Sequence, residues 1–111
     1  MDYKIKSRIW IESKYGVFLG EGRIKLLKAI AKTGSLSKAA STLGMSYKKA
    51  WNLLDSMNKS TQKPLVITTT GGKGGGGANL TKHGQHIIET FDKINQKCWE
   101  FLDNELKKIS L

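Results

Sequence analysis

Six of the seven residues from 71 to 77 are glycine, the exception being Lys73. Neither a helix nor a strand runs through such a stretch, because glycine gives up more backbone freedom on ordering than any other residue. The chain must turn there. Pro64 opens the preceding segment, residues 65–70 (LVITTT) are rich in β-branched side chains, and Ala78-Asn79-Leu80 follows the glycines. The pattern is strand, long tip, strand. A nucleotide-binding loop also uses glycines, but it ends in Gly-Lys and then Ser or Thr, directly before a helix. Here Lys73 is followed by Gly74 and a strand-like segment, so a nucleotide site is set aside. Six glycines are costly to order, and the tip is expected to be mobile alone and ordered when bound to a partner.

Upstream, residues 21–32 place Ile24, Leu27, Ile30 and Ala31 on one side with Leu26 beside them, and Lys25, Lys28 and Lys32 on the other. That is an amphipathic helix, stopped by Thr33-Gly34. Ser35 caps a second, short helix over residues 36–43, ended by Gly44. Ser46 caps a third, from residue 47 to about 59. Residues 3–12 alternate, with Tyr3, Ile5, Ile9 and Ile11 opposite Lys4, Lys6, Arg8 and Glu12, which reads as a half-buried strand. A turn at residues 13–16 and a short return through Val17-Phe18-Leu19 complete a hairpin. Thr81 caps a last, long helix over roughly residues 82–108. The expected fold is mainly α with small β, a winged helix-turn-helix. Its layout is an N-terminal hairpin (1–20), a helix-turn-helix and wing (21–81) and a long C-terminal helix (82–111), all in a single domain over residues 1–111.

The second and third helices can be tested against the steric rules of a DNA-reading helix pair. The crossing point wants a very small side chain, and the tight turn wants a residue that tolerates positive φ. Ala39 and Ala40 supply the first and Gly44 the second. Leu43 and Met45 bracket the glycine, and Ala50 with Leu53 or Leu54 continues the inner face. The plainer alternative is an ordinary helical hairpin. On the outer face, Ser46, Tyr47 and Lys48 stand at the entry of the third helix, with Lys49, Trp51 and Asn52 one turn on. Lys donates to guanine O6 and N7, Asn pairs bidentately with adenine, and Ser and Tyr hold phosphates. Tyr47 and Trp51, four residues apart, could instead pack inward together. Ser35, Lys73 and Gly74 complete the expected DNA-binding set, the last two through the wing.

Charge agrees. The net value is +10, and it is uneven: residues 22–85 hold 11 basic side chains and one acidic one, Asp55, whereas residues 86–111 hold four basic and five acidic. A basic body suggests a polyanion-binding surface, and a merely Lys-rich soluble surface is the alternative. No segment approaches the roughly 20 apolar residues of a membrane span, and nothing resembles a signal peptide. The expected location is cytoplasmic. The single cysteine, Cys98, cannot form an internal disulfide, and with His83 and His86 it makes no zinc set, so no metal or cofactor is expected. No nucleophile or carboxylate cluster serves those histidines, which makes an enzyme the least favoured class.

In the last helix Ile87, Phe91, Ile94, Cys98 and Phe101 follow alternate four- and three-residue steps, and the stripe then shifts to Leu102, Leu106 and Ile109. About 27 residues make a helix roughly 40 Å long, more than a small domain covers. A homodimer through Ile87, Phe91, Ile94, Cys98, Phe101, Leu102 and Leu106 is the economical answer. Folding back on its own domain is the other. Cys98 on this stripe reads as packing.

Several strings are more specific: residues 23–27 (RIKLL), Thr33-Gly34-Ser35, Ser46-Tyr47-Lys48 with Ala50-Trp51, Met57-Asn58, residues 71–78 (GGKGGGGA), and Leu80-Thr81 with Gly84. Through them, from about residue 20 to 99, the sequence resembles the N-terminal domain of the ModE family of molybdate-responsive transcriptional regulators, and the related DNA-binding domain of LysR-type regulators. The resemblance implies a prokaryotic, dimeric winged helix protein that binds double-stranded promoter DNA, with recognition on the helix from Ser46 and a wing around Lys73. Family members continue into small β-barrel domains that bind molybdate. Leu111 falls just past the linker helix and no residue here matches that ligand site, so no molybdate site is expected, and the chain is either a stand-alone DNA-binding member, the slightly favoured reading, or a piece cut from a longer one. The alternatives to a sequence-specific regulator are a non-specific architectural DNA-binding protein and a winged helix used as a protein-interaction module.

Overall fold

The structure, a computed structural model, describes residues 2–69 and 76–111. Among these the order is β1 (Ile11–Ser13), β2 (Gly16–Leu19), α1 (Glu21–Thr33), α2 (Leu36–Thr42), α3 (Tyr47–Lys59), β3 (Val66–Thr69), β4 (Gly77–Leu80) and α4 (Lys82–Lys107). Three helices followed by a two-stranded antiparallel hairpin make a winged helix, with Val66 paired to Leu80 and Thr69 to Gly77. The apolar period of α1 buries Ile24, Leu27 and Ile30 together with Leu26, while Ala31 is exposed. Gly34, at φ 68°, ends the helix by donating to the Ile30 carbonyl at 2.8 Å. Its own carbonyl accepts the Ala78 N–H at 3.0 Å, which anchors β4 to the start of the helix pair. Val66 and Ala78 face the core, and Ile67 faces out.

The joint between wing and last helix is dense. Thr81 caps α4 by accepting the Gly84 N–H at 2.9 Å. Its hydroxyl donates to the Pro64 carbonyl at 2.7 Å, and its N–H donates to the Leu65 carbonyl at 2.9 Å. Asn58 in α3 accepts the Leu65 N–H at 2.8 Å and donates to the Val66 carbonyl at 3.1 Å. Gly84 is buried at the same point.

The expected strand over residues 3–12 is much shorter. Ile11 pairs with Leu19, and Gly20 directly caps α1, so residues before Ile11 have no strand to pair with. Their period-two burial persists for another reason. Ile5, Ser7 and Ile9 are half-buried, with Lys4, Lys6 and Arg8 exposed, and the segment lies along α1 and α4. Ser7 Oγ is 3.6 Å from Cys98 Sγ, and Arg8 and Ile9 share a cleft with Phe91 and Trp99. Tyr3, expected on the inner side, is exposed.

The first half of α4 belongs to the core, through Gly84, Ile88 and Phe91, and Lys28 of α1 pairs with Asp92 at 2.8 Å. The second half extends beyond it, giving extents of 62 × 29 × 22 Å. Among the described residues no helix is long and apolar enough to cross a membrane.

A Cβ on Gly84 would collide with the Leu65 carbonyl oxygen and come within 2.7 Å of Leu80 Cδ1. Backbone cannot yield as a flexible side chain does, so Gly84→Ala should cost about 1–3 kcal/mol. A denaturant titration checks this, and a midpoint equal to that of the parent chain would contradict it.

Candidate nucleic-acid interface

The turn between α2 and α3 closes with the double bond pattern of a helix C-terminus that reverses at glycine. Gly44 sits at φ 66°, its N–H donates to the Ser41 carbonyl at 3.1 Å, and the Met45 N–H donates to the Ala40 carbonyl at 3.0 Å. Ala39, Ala40 and Ala50 are buried where the helices meet, so the small side chains do what close crossing requires. Leu43 and Met45 pack partly against the core. Ser46 accepts the Lys49 N–H at 3.1 Å and Ser35 the Lys38 N–H at 3.1 Å. Both hydroxyls are thus used as caps, and each keeps a proton to donate.

The reading face of α3 is solvent-facing throughout. Tyr47, Lys48, Lys49, Trp51 and Asn52 are all exposed, and the buried side of the helix is Ala50, Leu54 and Met57. The inward packing left open for Tyr47 and Trp51 does not occur, with Trp51 48% exposed. The one acidic group on α3, Asp55, is held by Lys59 at 2.7 Å, which removes its charge from the face. Lys38, Lys48 and Lys49 form no ion pair among the described residues. Arg23 on α1 is half-buried, with no acceptor for its Nε among the described residues. Desolvation there lowers its pKa from the ordinary value, and the guanidinium stays charged at neutral pH. Lys73 and Gly74, expected at the wing tip, lie outside the described residues.

The α4 stripe divides. Phe91, expected at a dimer seam, is instead in the core of its own chain, because the start of α4 packs directly on α1 and the wing. Ile87 packs partly against that core. Beyond it Ile94 is 45% and Phe101 63% exposed, while Cys98, Leu102 and Leu106 are half-buried. Ile109 and Leu111 are exposed as well.

One neighbour of the reading face was not identified from sequence. Tyr15, in the turn between β1 and β2, shares a cleft of 370 Å³ with Asn52, Asp55, Ser56 and Lys59 of α3. The available signal was an aromatic side chain in a polar turn, between Lys14 and Gly16.

Comparison with known proteins places this geometry. The family model described as bacterial regulatory helix-turn-helix protein, LysR family, matches residues 22–85. The DNA-binding transcriptional dual regulator ModE of Escherichia coli (strain K12) is 45% identical over 92 residues, covering 80% of this chain and 35% of that protein. The molybdenum transport protein ModE of Azotobacter vinelandii is 34% identical over 104 residues, 94% of this chain and 38% of that one. The molybdenum-pterin-binding protein MopB of Rhodobacter capsulatus is 40% identical over 96 residues, 86% and 36% respectively. The chain therefore spans about a third of the length of these relatives.

The turn at Gly44 can be tested without any ligand. An L side chain in the left-handed region costs about 1–2 kcal/mol, and Asn tolerates it better. Gly44→Ala should lower stability by that amount and Gly44→Asn by less. Equal denaturation midpoints for the two variants would show that φ is not what glycine supplies here.

Proposed function

The chain belongs to the LysR family of bacterial regulatory helix-turn-helix proteins, and on that basis we propose that it is a sequence-specific DNA-binding transcriptional regulator that acts as a homodimer in the cytoplasm. The observation that carries this reading is the face of α3. Lys48, Lys49 and Asn52 are exposed together at the start of a capped helix, and the single acid on that helix is neutralised. A helix presented this way enters a major groove by its N-terminal half, where Lys and Asn meet base edges. Ser35, Ser46 and Tyr47 have hydroxyls to donate to phosphate, and Trp51 supplies an exposed ring beside Asn52. Lys73 and Gly74 fit a wing that approaches the backbone or minor groove. The regulators of similar sequence carry transcriptional function in their names, which supports the same role here. Molybdenum, named in two of the relatives, is not carried over to these 111 residues.

The dimer rests on α4. Its 26 residues span about 39 Å, and beyond Phe91 its Ile94 and Phe101 are exposed while Cys98, Leu102 and Leu106 are only half-buried. A second copy covers Ile94, Phe101, Leu102 and Leu106, with Cys98 inside the seam and Ile87 at its edge. A two-fold pair also matches paired half-sites on DNA.

The test is recovery of genomic fragments by the purified chain at near-physiological salt. A short inverted repeat is expected. Uniform recovery would favour architectural binding, and no recovery would favour a protein-interaction module. Lys48→Ala and Asn52→Ala should each reduce discrimination between the recovered site and random duplex by about 1–3 kcal/mol. A loss equal on both duplexes would reassign them to phosphate contact. For assembly, Phe101→Glu should convert a sedimenting dimer to monomer, because a carboxylate buried at a seam is left unpaired. Were the variant still a dimer, the seam would have to lie elsewhere.

A further inference from the structure

We propose that the turn between β1 and β2, Lys14-Tyr15, is an additional DNA contact that grips the phosphate strand beside the recognition helix. The inference rests on the DNA-binding reading and extends the interface to a part of the chain that lies before residue 22, outside the matched family region.

The argument starts from the helix. Lys48, Asn52, Ser56 and Lys59 recur at steps of four, four and three along α3, so they lie in one line on its surface. Thirteen residues make α3 about 20 Å long, whereas the major groove is about 12 Å wide. A helix entering by its N-terminal end therefore leaves its second half at the bordering sugar-phosphate strand. Tyr15 stands there, sharing a cleft with Asn52, Asp55, Ser56 and Lys59.

The turn is held in place rather than merely nearby. The Tyr15 N–H donates to Ser13 Oγ at 3.1 Å, and Ser13 Oγ lies 2.9 Å from Ser60 Oγ. Ser60 donates to the Ser56 carbonyl at 3.2 Å, so Ser13 is the donor in that hydroxyl pair. This relay fastens the hairpin to the last turn of α3. Gly16, at φ 111°, permits the tight reversal. Lys14 Nζ sits 5.1 Å from the Tyr15 ring centroid, so ring and cation are presented as a unit.

Neither side chain has a structural use that explains it. Tyr15 is 64% exposed, and Lys14 is exposed with no ion pair among the described residues. Because Asp55 is spent on Lys59, the cleft and turn together carry a net positive charge. A phosphate meets an ammonium and a phenolic hydroxyl, both donors, at a place the helix line already leads to.

The test measures affinity from 50 to 200 mM KCl for the parent chain, Lys14→Ala and Tyr15→Phe. Two probes are used, a duplex enriched by the parent chain from genomic fragments and a random-sequence 30-bp duplex. Lys14→Ala should reduce the slope of log K against log salt by about 0.9 on both probes, the value for one phosphate contact. Tyr15→Phe should weaken both by about threefold to tenfold. A hydroxyl-radical footprint of Lys14→Ala should lose protection at the flank of each half-site and keep it at the centre. Slope and footprint identical to the parent chain would overturn the proposal. A loss confined to the enriched duplex, with unchanged slope, would also overturn it, because the turn would then only position Asn52. Failure of the parent chain to bind either probe would instead remove the DNA-binding reading on which the proposal stands.

Discussion

The backbone N–H and carbonyl of Leu65 join three elements. The N–H is held by Asn58 near the end of α3, the carbonyl receives the Thr81 N–H where β4 gives way to α4, and Gly84 packs on that same carbonyl. Asn58 simultaneously holds the Val66 carbonyl at the start of the wing. A buried peptide group left unpaired costs about 1–3 kcal/mol, so each partner is needed to satisfy the others. The result is a joint without slack. The reading helix, the wing strands and the last helix are set relative to one another by one carbonyl and one amide side chain.

From that joint the proposed affinity for DNA and the proposed assembly fall on separate parts of the chain. The basic side chains of α1 to α3 lie on a body whose acids are few and mostly paired, Glu21 with Lys25 and Arg8, Asp55 with Lys59. These exposed pairs add little stability. Their effect is to remove negative charge from surfaces that a polyanion approaches. Three of the five acids of α4, Glu100, Asp103 and Glu105, lie beyond the body, and Asp92, beside Phe91, pairs with Lys28. Long-range attraction is thus directed toward the helix pair and away from the apolar end of α4.

Local chemistry was the most legible part of the sequence. Capping Ser35, Ser46 and Thr81, stop signals Gly34 and Gly44, and the 3.6 period of α1 and α3 all act within a few residues, and the helices begin and end almost where those signals stand. The N-terminal strand was misjudged because alternation reports burial on one side and not the presence of a pairing partner. Residues 4–10 alternate against α1 and α4 without a ladder. Phe91 was misplaced for a related reason. An apolar stripe says that something covers it, and only the direction of α4, set at Thr81 and Gly84, determines that its own core covers the first half. Tyr15 was out of reach because its neighbours are about forty residues away, brought close by the Ser13–Ser60 bond. The outward side of α3 was readable because outer faces follow directly from the inner one. Ala50, Leu54 and Met57 point in, so Lys48, Trp51 and Asn52 point out.

The rigidity of the Leu65 joint has a consequence for the proposed dimer. Two copies paired along the exposed part of α4 would carry their α3 helices as fixed arms, since α4 runs unbroken for 26 residues and its base is locked to β3 and α3. Successive major-groove faces on one side of DNA are about 34 Å apart. An assembly with flexible arms can bind half-sites at several spacings, because each arm adjusts at little cost. Here an altered spacing would have to break hydrogen bonds at Leu65, bend α4, or twist the duplex, and each costs on the order of kilocalories. Specificity in such a protein comes from two sources that multiply. In the proposed complex, base edges would be read by the α3 face, and the distance between them would be measured by α4.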